Sequence, residues 1–245
     1  MNCYQADLHI HTVLSPCAHL LMTPGNIIKK AREQGLDIIA ITDHNSGQNV
    51  RVTLELASNT PLHVFPGMEV ESAEEVHLLC LFDRLDDLLE WQEIVFAALP
   101  DQPNDEEYFG EQLITDLDDQ YVAREERLLA TATKLTVKKI VKMIAKIGGL
   151  VIPAHIDRPY NSILANLGII PEDLELTFLE LSARQRVSQF LTMHPYLKKY
   201  AFIQNSDSHF LTDIKPMTKL CLEEINLTEL RMAAANRAGR KIMIQ

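Results

Sequence analysis

Asp7-Leu8-His9-Ile10-His11-Thr12 places two histidines one residue apart at the end of a short apolar strand. Side chains alternate along a strand with period two, so both imidazoles point to one side and can converge on a point beyond the strand. Neutral imidazole is the commonest protein ligand for zinc, iron or manganese, which makes this pair a candidate half-site for a metal. The same residue types return downstream as Asp43-His44, Glu69, His77, His155 and Asp207-Ser208-His209, each at or just past an apolar strand-like run. Together they form a constellation that composition alone does not produce.

The 245 residues suffice for one large α/β domain, and the 47% hydrophobic fraction supports a full core. Formal charge is −11, with 34 acidic against 23 basic residues, which argues against a broad basic surface for long nucleic acid. The four cysteines, Cys3, Cys17, Cys80 and Cys221, are spread along the chain without a C-x-x-C pair, so no disulfide framework or zinc ribbon is expected. With no signal-peptide pattern and no apolar run of about 18 residues, no membrane association is expected either. A reduced, cytoplasmic enzyme is the expectation.

Working outward, Val13 to His19 is a loop punctuated by Ser15-Pro16. Thr23-Pro24 starts a helix as N-cap and first helical residue, and Gly35 ends it. Asp37 to Thr42 is continuously apolar after its first residue, the pattern of a parallel strand buried on both faces. A helix over about 48–58 leads to strands at 62–70 and 75–82. A helix from Thr136, carrying Val137, Ile140, Val141, Ile144 and Ala145, precedes the strand Leu150 to Ala154. Further strands are expected at 176–181, 201–205 and 222–225, with a closing helix over 227–238. The acidic, helix-rich stretch 83–134, with Trp91 in an apolar stripe, is expected to be an insertion or elaborated connection covering the site within a single domain spanning 1–245. Repeated strand–helix alternation argues for a parallel sheet, and ligand types at successive strand ends argue for its closure into a barrel.

The blocks Asp7 to Thr12, Ile41-Thr42-Asp43-His44-Asn45, Gly67-Met68-Glu69 with His77, Pro153-Ala154-His155 and Asn205-Ser206-Asp207-Ser208-His209 resemble the PHP family, named for its polymerase and histidinol phosphatase members. The resemblance implies an α/β fold, a distorted (β/α)7 barrel of TIM-like, PHP type, and a metal-dependent phosphoesterase with two or three divalent ions. Carried over position by position, it implies one metal on His9, His11, Glu69 and Asp207. Glu69 would bridge to a second on His77 and His155, and His44 and His209 would share a third with a ligand from the first loop. Several relatives have a histidine at that loop position, where this chain has Cys17. A thiolate suits zinc or iron and is a poor partner for magnesium, and Cys17 is equally readable as an ordinary small loop residue.

A carboxylate bridging two close cations would lower the pKa of a water for in-line attack on phosphorus, with Glu69, Asp207 and His209 as the catalytic group and His209 or a metal-bound water protonating the leaving oxygen. Arg158 and Arg184 follow strands whose ends face the site, and guanidinium suits phosphate; the plain alternative for each is a surface ion pair. His19, near the first loop, is a further candidate for touching substrate. Asp7 and Asp43 are expected to orient the ligands, and Glu180 to make a structural hydrogen bond. His63 and His194 are read as structural. Manganese, iron and zinc all fit the donor set. The expected substrate is a small phosphorylated molecule: a nucleotide, sugar or amino-alcohol phosphate. The alternatives are a short-oligonucleotide exonuclease, a metal-dependent amidohydrolase, and a non-catalytic metal-binding interaction module.

Overall fold

A computed structural model describes residues 1–244. The first part of the chain forms β1 (Asn2–Ile10), α1 (Pro24–Glu33), β2 (Ile38–Ile41), α2 (Val50–Ala57), β3 (His63–Glu71), β4 (His77–Leu81) and α3 (Leu85–Ala98). The middle contributes α4 (Glu106–Phe109), β5 (Leu113–Thr115), β6 (Tyr121–Arg124), α5 (Val137–Ile147) and β7 (Leu150–Pro153). The last part holds α6 (Ile163–Leu167), β8 (Phe178–Leu181), α7 (Val187–Met193), β9 (Ala201–Gln204), β10 (Thr218–Leu222), α8 (Leu227–Ala234) and β11 (Lys241–Ile244).

Seven strands form one sheet in the order β11-β10-β1-β2-β3-β4-β7, and β8 pairs with β9 in a separate parallel ribbon. Two local junctions join the pieces. Ile156 N–H, just past β7, donates to Glu180 O on β8 at 2.9 Å. Beyond β9, Ser208 bridges the end of β1, accepting from His11 N–H at 3.1 Å and donating to His9 O at 3.2 Å. Strands β1 to β4 and β7 to β9 therefore curl round as the expected distorted barrel, with β10 and β11 as an antiparallel flap beside the first half of β1.

The sheet is not uniformly parallel, which corrects the expectation from strand–helix alternation. β1, β2 and β3 run parallel, whereas β4 is antiparallel to both β3 and β7. The cause is the length of one connection. Only five residues separate Glu71 from His77, too few for the crossover that parallel strands require, and Ser72 N–H to Val76 O at 2.9 Å closes a tight turn instead. The reversal brings the start of β4, and with it His77, to the end of the barrel where the other strands finish.

A second irregularity sets the direction of the opening motif. Pairing of β1 with β2 slips between Asp7 and Ile10. Ala6 and Leu8 belong to the inner apolar cluster with Phe65, Leu79, Ile152 and Phe178, while Ile10 joins the outer cluster beneath the helices. An extra residue in a strand moves the following side chains to the opposite face. Here it turns His9 and His11 inward. Leu227, Leu230 and Ala233 of α8 fill the inner cluster from the other end of the barrel.

Helix boundaries follow their caps. α1 starts at Pro24 and its chain reverses at Gly35 (φ 71°), although Thr23 makes no side-chain capping bond. In α5 the Thr136 hydroxyl accepts from Lys139 N–H, Gly148 (φ 87°) ends the helix, and Val137, Ile140, Val141 and Ile144 are buried while Ala145 is exposed. The strand expected at 222–225 lies earlier, as β10, and the closing helix stops at Ala234, where Asn236 and Ala238 turn left-handed ahead of the unforeseen β11. Within 83–134, α3 is part of the main core through Leu88, Trp91 and Val95. The rest clasps the loops over the barrel: Leu113 N–H donates to Val13 O at 3.0 Å, and the side chain of Asn49 donates to Leu113 O at 3.0 Å.

Cys3 and Cys221 face each other across the β1–β10 pair and are joined as a disulfide. The wide sequence spacing concealed a pairing that antiparallel register makes direct, so the expectation of no disulfide is corrected. Disulfides persist mainly in oxidising compartments, and this pair counts against a fully reduced chain. Among the described residues no helix is long and apolar enough to cross a membrane.

Trp91 is fully buried between the sheet and α5. Trp91→Ala is expected to lower unfolding stability by about 3–5 kcal/mol in urea titration; a loss below about 1 kcal/mol would show that α3 is not part of the cooperative core.

Candidate metal centre

Glu69, near the C-terminal end of β3 and 1% exposed, is surrounded by imidazole nitrogens. Its Oε1 lies 3.0 Å from His77 Nδ1, 3.2 Å from His155 Nε2 and 3.3 Å from His9 Nε2. Its Oε2 lies 3.2 Å from His44 Nδ1 and 3.4 Å from His11 Nε2. Asp207 closes the other side, with Oδ1 at 3.2 Å from His9 Nε2 and 3.3 Å from His11 Nε2. His209 stacks on His11 with ring centroids 4.3 Å apart. Three sets of donor atoms lie close enough to share an ion: His9, His11 and Glu69; His44, Glu69 and His77; and His11, His44 and His209.

A surrounding layer fixes these rings. Glu180 accepts from His9 Nδ1 at 3.1 Å, from His155 N–H at 2.8 Å and from the Asn205 side chain at 2.7 Å. Asp43 accepts from Thr12 and Ser15, and the Ser15 oxygen lies 3.0 Å from His11 Nδ1. Asp7 receives the backbone N–H of Ser206 at 3.0 Å, tying β1 to the Asp207 loop. Asn161 places its amide 3.0 Å from His77 Nε2. Asn45, His155, Asn161 and Asp207 all have positive φ, 31–52°, without being glycine. Such strain persists only where surrounding structure enforces it, and it gathers at functional sites.

Burial opposes ionisation of Glu69, yet His77 and His9 outweigh it and hold the carboxyl well below the usual range. The same contest at Asp207 is won by His9 and His11. Burial, then His11, keeps His44 well below the ordinary histidine value and lowers His209 to about 4. At His77 the field of Glu69 overcomes burial and raises the pKa to about 9. These opposed shifts express one requirement for positive charge among the rings. With Nδ1 of His9 on Glu180 and Nδ1 of His11 on Ser15, their Nε2 atoms meet at 3.1 Å facing two carboxylates. Two lone pairs at that distance need a cation or a proton between them. His155 Nδ1 is buried without a protein partner. The donor set fits a divalent metal centre.

His9, His11, His44, Glu69, His77, His155, Asp207 and His209 are thus brought together. Cys17 is not: the residue is solvent-exposed on the loop and lies outside all three sets. Although the residue is exposed, its sulfur is crowded by the loop; that burial, followed by Glu69, pushes the thiol up to about 12. Arg158 pairs with Asp207 Oδ2 and so reaches the cluster itself. It lines a cleft of about 710 Å³ with Tyr160, Arg184, Asp207, His209 and Lys215. His19 is exposed, with its ring 5.5 Å from the Phe210 ring and its backbone N–H donating to His209 O at 2.9 Å beside the cluster. Sequence reasoning missed Ser15 and Asn161. Ser15 carried a weak signal, since it lies four residues beyond His11 in the same turn; Asn161 carried none.

Burial raises the pKa of Asp7 from 3.8 to about 6, so the fold favours its protonated form. Stability from this group is present at low pH and declines as pH rises through that window. In metal-free protein, the stability gap to Asp7→Asn should move by roughly 2–3 kcal/mol in favour of the variant between pH 4 and pH 7 in urea unfolding; an unchanged gap would show that Asp7 ionises in the fold without cost. Manganese or zinc at about 100 times its dissociation constant should raise the melting temperature of wild type by about 5–10 °C, and Glu69→Gln should lose most of that rise. An equal rise in the variant would place the metal elsewhere.

The PHP domain profile matches residues 7–176. An uncharacterised protein of Methanocaldococcus jannaschii is 33% identical over 78 residues, 29% of this chain and 46% of that protein. The lesion-specific endonuclease Q of Pyrococcus furiosus superposes with a TM-score of 0.75 at 22% identity, covering 99% of this chain and 58% of that one. A second endonuclease Q structure, bound to a 27-mer duplex with an abasic lesion at its active site, gives a TM-score of 0.76 at 22% identity, with 99% and 59% coverage. A Bifidobacterium adolescentis protein provisionally assigned as a metal-dependent phosphoesterase gives 0.58 at 19% identity, covering 83% of this chain and 87% of that one. The chain spans about half the length of the curated relative and under two thirds of endonuclease Q. With its profile spanning most of the sequence, this chain belongs to the PHP domain family.

Proposed function

We propose that this protein is a metal-dependent phosphoesterase, and that one observation carries the reading: a buried carboxylate, Glu69, within 3.4 Å of five imidazole nitrogens beside a cleft that holds cations. His9, His11, Glu69 and Asp207 would hold one ion, Glu69, His77 and His155 a second, and His44 and His209 would contribute to a third. Bound divalent ions of manganese, iron or zinc would supply Lewis-acid charge and an activated water for attack on phosphorus. The chain's own residues do the rest. Arg158, pinned through Asp207, aims a forked donor at phosphoryl oxygens, and Arg184 and Lys215 add positive charge on the cleft wall. Nδ1 of His209 lies 3.0 Å from Asp207 O, which suits donation there and leaves Nε2 as its free acceptor. With its pKa lowered to about 4 by burial, His209 is neutral near pH 7 and suits holding an ion better than protonating a leaving group.

A small phosphorylated molecule remains the first reading for substrate. A polynucleotide phosphodiester is the second. The acidic total charge that argued against long nucleic acid says nothing of the local wall formed by Arg158, Arg184 and Lys215. Likeness over 99% of the chain to endonuclease Q, solved with duplex DNA, removes the ground for setting nucleic acid aside.

The deciding assay follows phosphate release from a panel of phosphomonoesters, and cleavage of labelled oligonucleotides and an abasic duplex, by manganese-loaded protein. Asp207→Asn should lose about 100-fold or more on whichever substrate is turned over. Release from monoesters alone gives the first reading, and cleavage of the duplex gives the second. No turnover of any member with metal bound would overturn the phosphoesterase reading.

A further inference from the structure

Ser15 sits on the turn after β1 with 0% exposure, and its single hydroxyl faces three groups. It donates to Asp43 Oδ1 at 2.7 Å, accepts from the backbone N–H of His44 at 3.1 Å, and lies 3.0 Å from His11 Nδ1. The direction of these bonds follows from counting protons. Thr12 Oγ1 already accepts from Asn49 at 2.9 Å and from Leu14 N–H at 3.1 Å, so its own proton goes to Asp43 Oδ2 at 2.7 Å. Asp43 Oδ1 takes the backbone N–H of Thr12 at 2.7 Å as well as the Ser15 hydroxyl. Every neighbour of that carboxylate is a donor, so Asp43 accepts and Ser15 gives up its only proton. What remains on Ser15 Oγ is acceptor capacity alone. The nitrogen of His11 that meets it must therefore carry a hydrogen, and the other, Nε2, is left as a lone pair aimed at Glu69 and Asp207.

We propose that Ser15 is a positioning residue that sets the tautomer of His11 and, through the same oxygen, anchors the backbone of His44. One hydroxyl thus prepares two side chains of the centre. His9 reaches the same end differently, because Glu180 accepts from its Nδ1 directly, whereas Asp43 acts on His11 only through Ser15. The inference rests on the reading of this cluster as a metal centre. An alanine at position 15 would leave both His11 Nδ1 and His44 N–H without an acceptor, and His11 would be free to place its hydrogen on Nε2, where it blocks a metal.

The test begins with wild type loaded with zinc and labelled with 15N at histidine. Long-range 1H–15N spectra should show His11 protonated on Nδ1 and metal-shifted on Nε2. Chelator competition should then give zinc binding 10–100-fold weaker in Ser15→Ala, the range typical for partners behind metal ligands, with most of the affinity recovered in Ser15→Thr, which keeps the hydroxyl. Zinc bound with His11 protonated on Nε2, or Ser15→Ala binding as tightly as wild type, would overturn the role of Ser15 alone. Failure of wild type to take up zinc would instead overturn the metal-centre reading beneath it. The wild-type spectrum decides the tautomer even if Ser15→Ala does not fold.

Discussion

The structure depends on one buried carboxylate. Removing a carboxylate from water costs several kcal/mol unless charge and hydrogen bonds replace the solvent, and Glu69 is 1% exposed with five imidazoles aimed at it. Those rings arrive by several routes. A slip in the β1–β2 pairing turns His9 and His11 inward, a tight turn reverses β4 so that His77 starts it at the right end, and a left-handed backbone carries His155 past β7. Together these departures from regular structure bring the rings round Glu69 and Asp207.

Around the rings, carboxylates alternate with histidines in depth. Glu180 stands behind His9, Asp43 behind Ser15 and His11, and Asp7 behind the Asp207 loop. These contacts are also where the barrel closes, since Asn205 donates both to Glu180 and, by its side-chain carbonyl, accepts from Leu8 N–H at 2.7 Å. The forces that orient the site and those that join β8 and β9 to β1 are therefore the same bonds. A substitution in this layer is expected to register in stability and in metal affinity together.

The residues that gather round Glu69 were legible in the sequence because metal chemistry limits the residue types, and strand ends announce themselves by apolar runs that stop at a polar residue. The barrel followed from that repetition. What was not legible depends on partners far away in the chain. The Cys3–Cys221 bond exists because register sets the two residues opposite each other across 218 positions. The family resemblance made Cys17 a candidate ligand, yet the turn leaves it outside the donor sets while Ser15, two residues earlier, points inward. β11 gave no usable signal, since Lys241–Ile244 is a half-exposed edge with a weak apolar pattern. Within 83–134, the break at Pro100 separates two roles that composition blended: a core helix before it and a clasp on the first loop after it.

The cleft itself is one-sided, and that asymmetry follows from the clasp. Its lining comes from the segments after β7, β8 and β9, where Arg158, Arg184 and Lys215 provide the cations. The opposite approach, over the loops after β1 and β2, is occupied by Leu113 to Tyr121, held by Asn49, by Gly25 N–H on Asp119 and by the Tyr121 hydroxyl on Leu20 O. On the phosphoesterase reading, a phosphate group would reach the rings from the Asp207 side, where the Asp207 carboxylate already takes the place on Arg158 that a phosphate oxygen would fill. One guanidinium nitrogen of Arg158 meets Asp207, and a cation beside Asp207 would weaken that hold and turn more of the guanidinium toward a substrate oxygen. The same carboxylate thus links the charge of the centre to the availability of the one arginine that touches it.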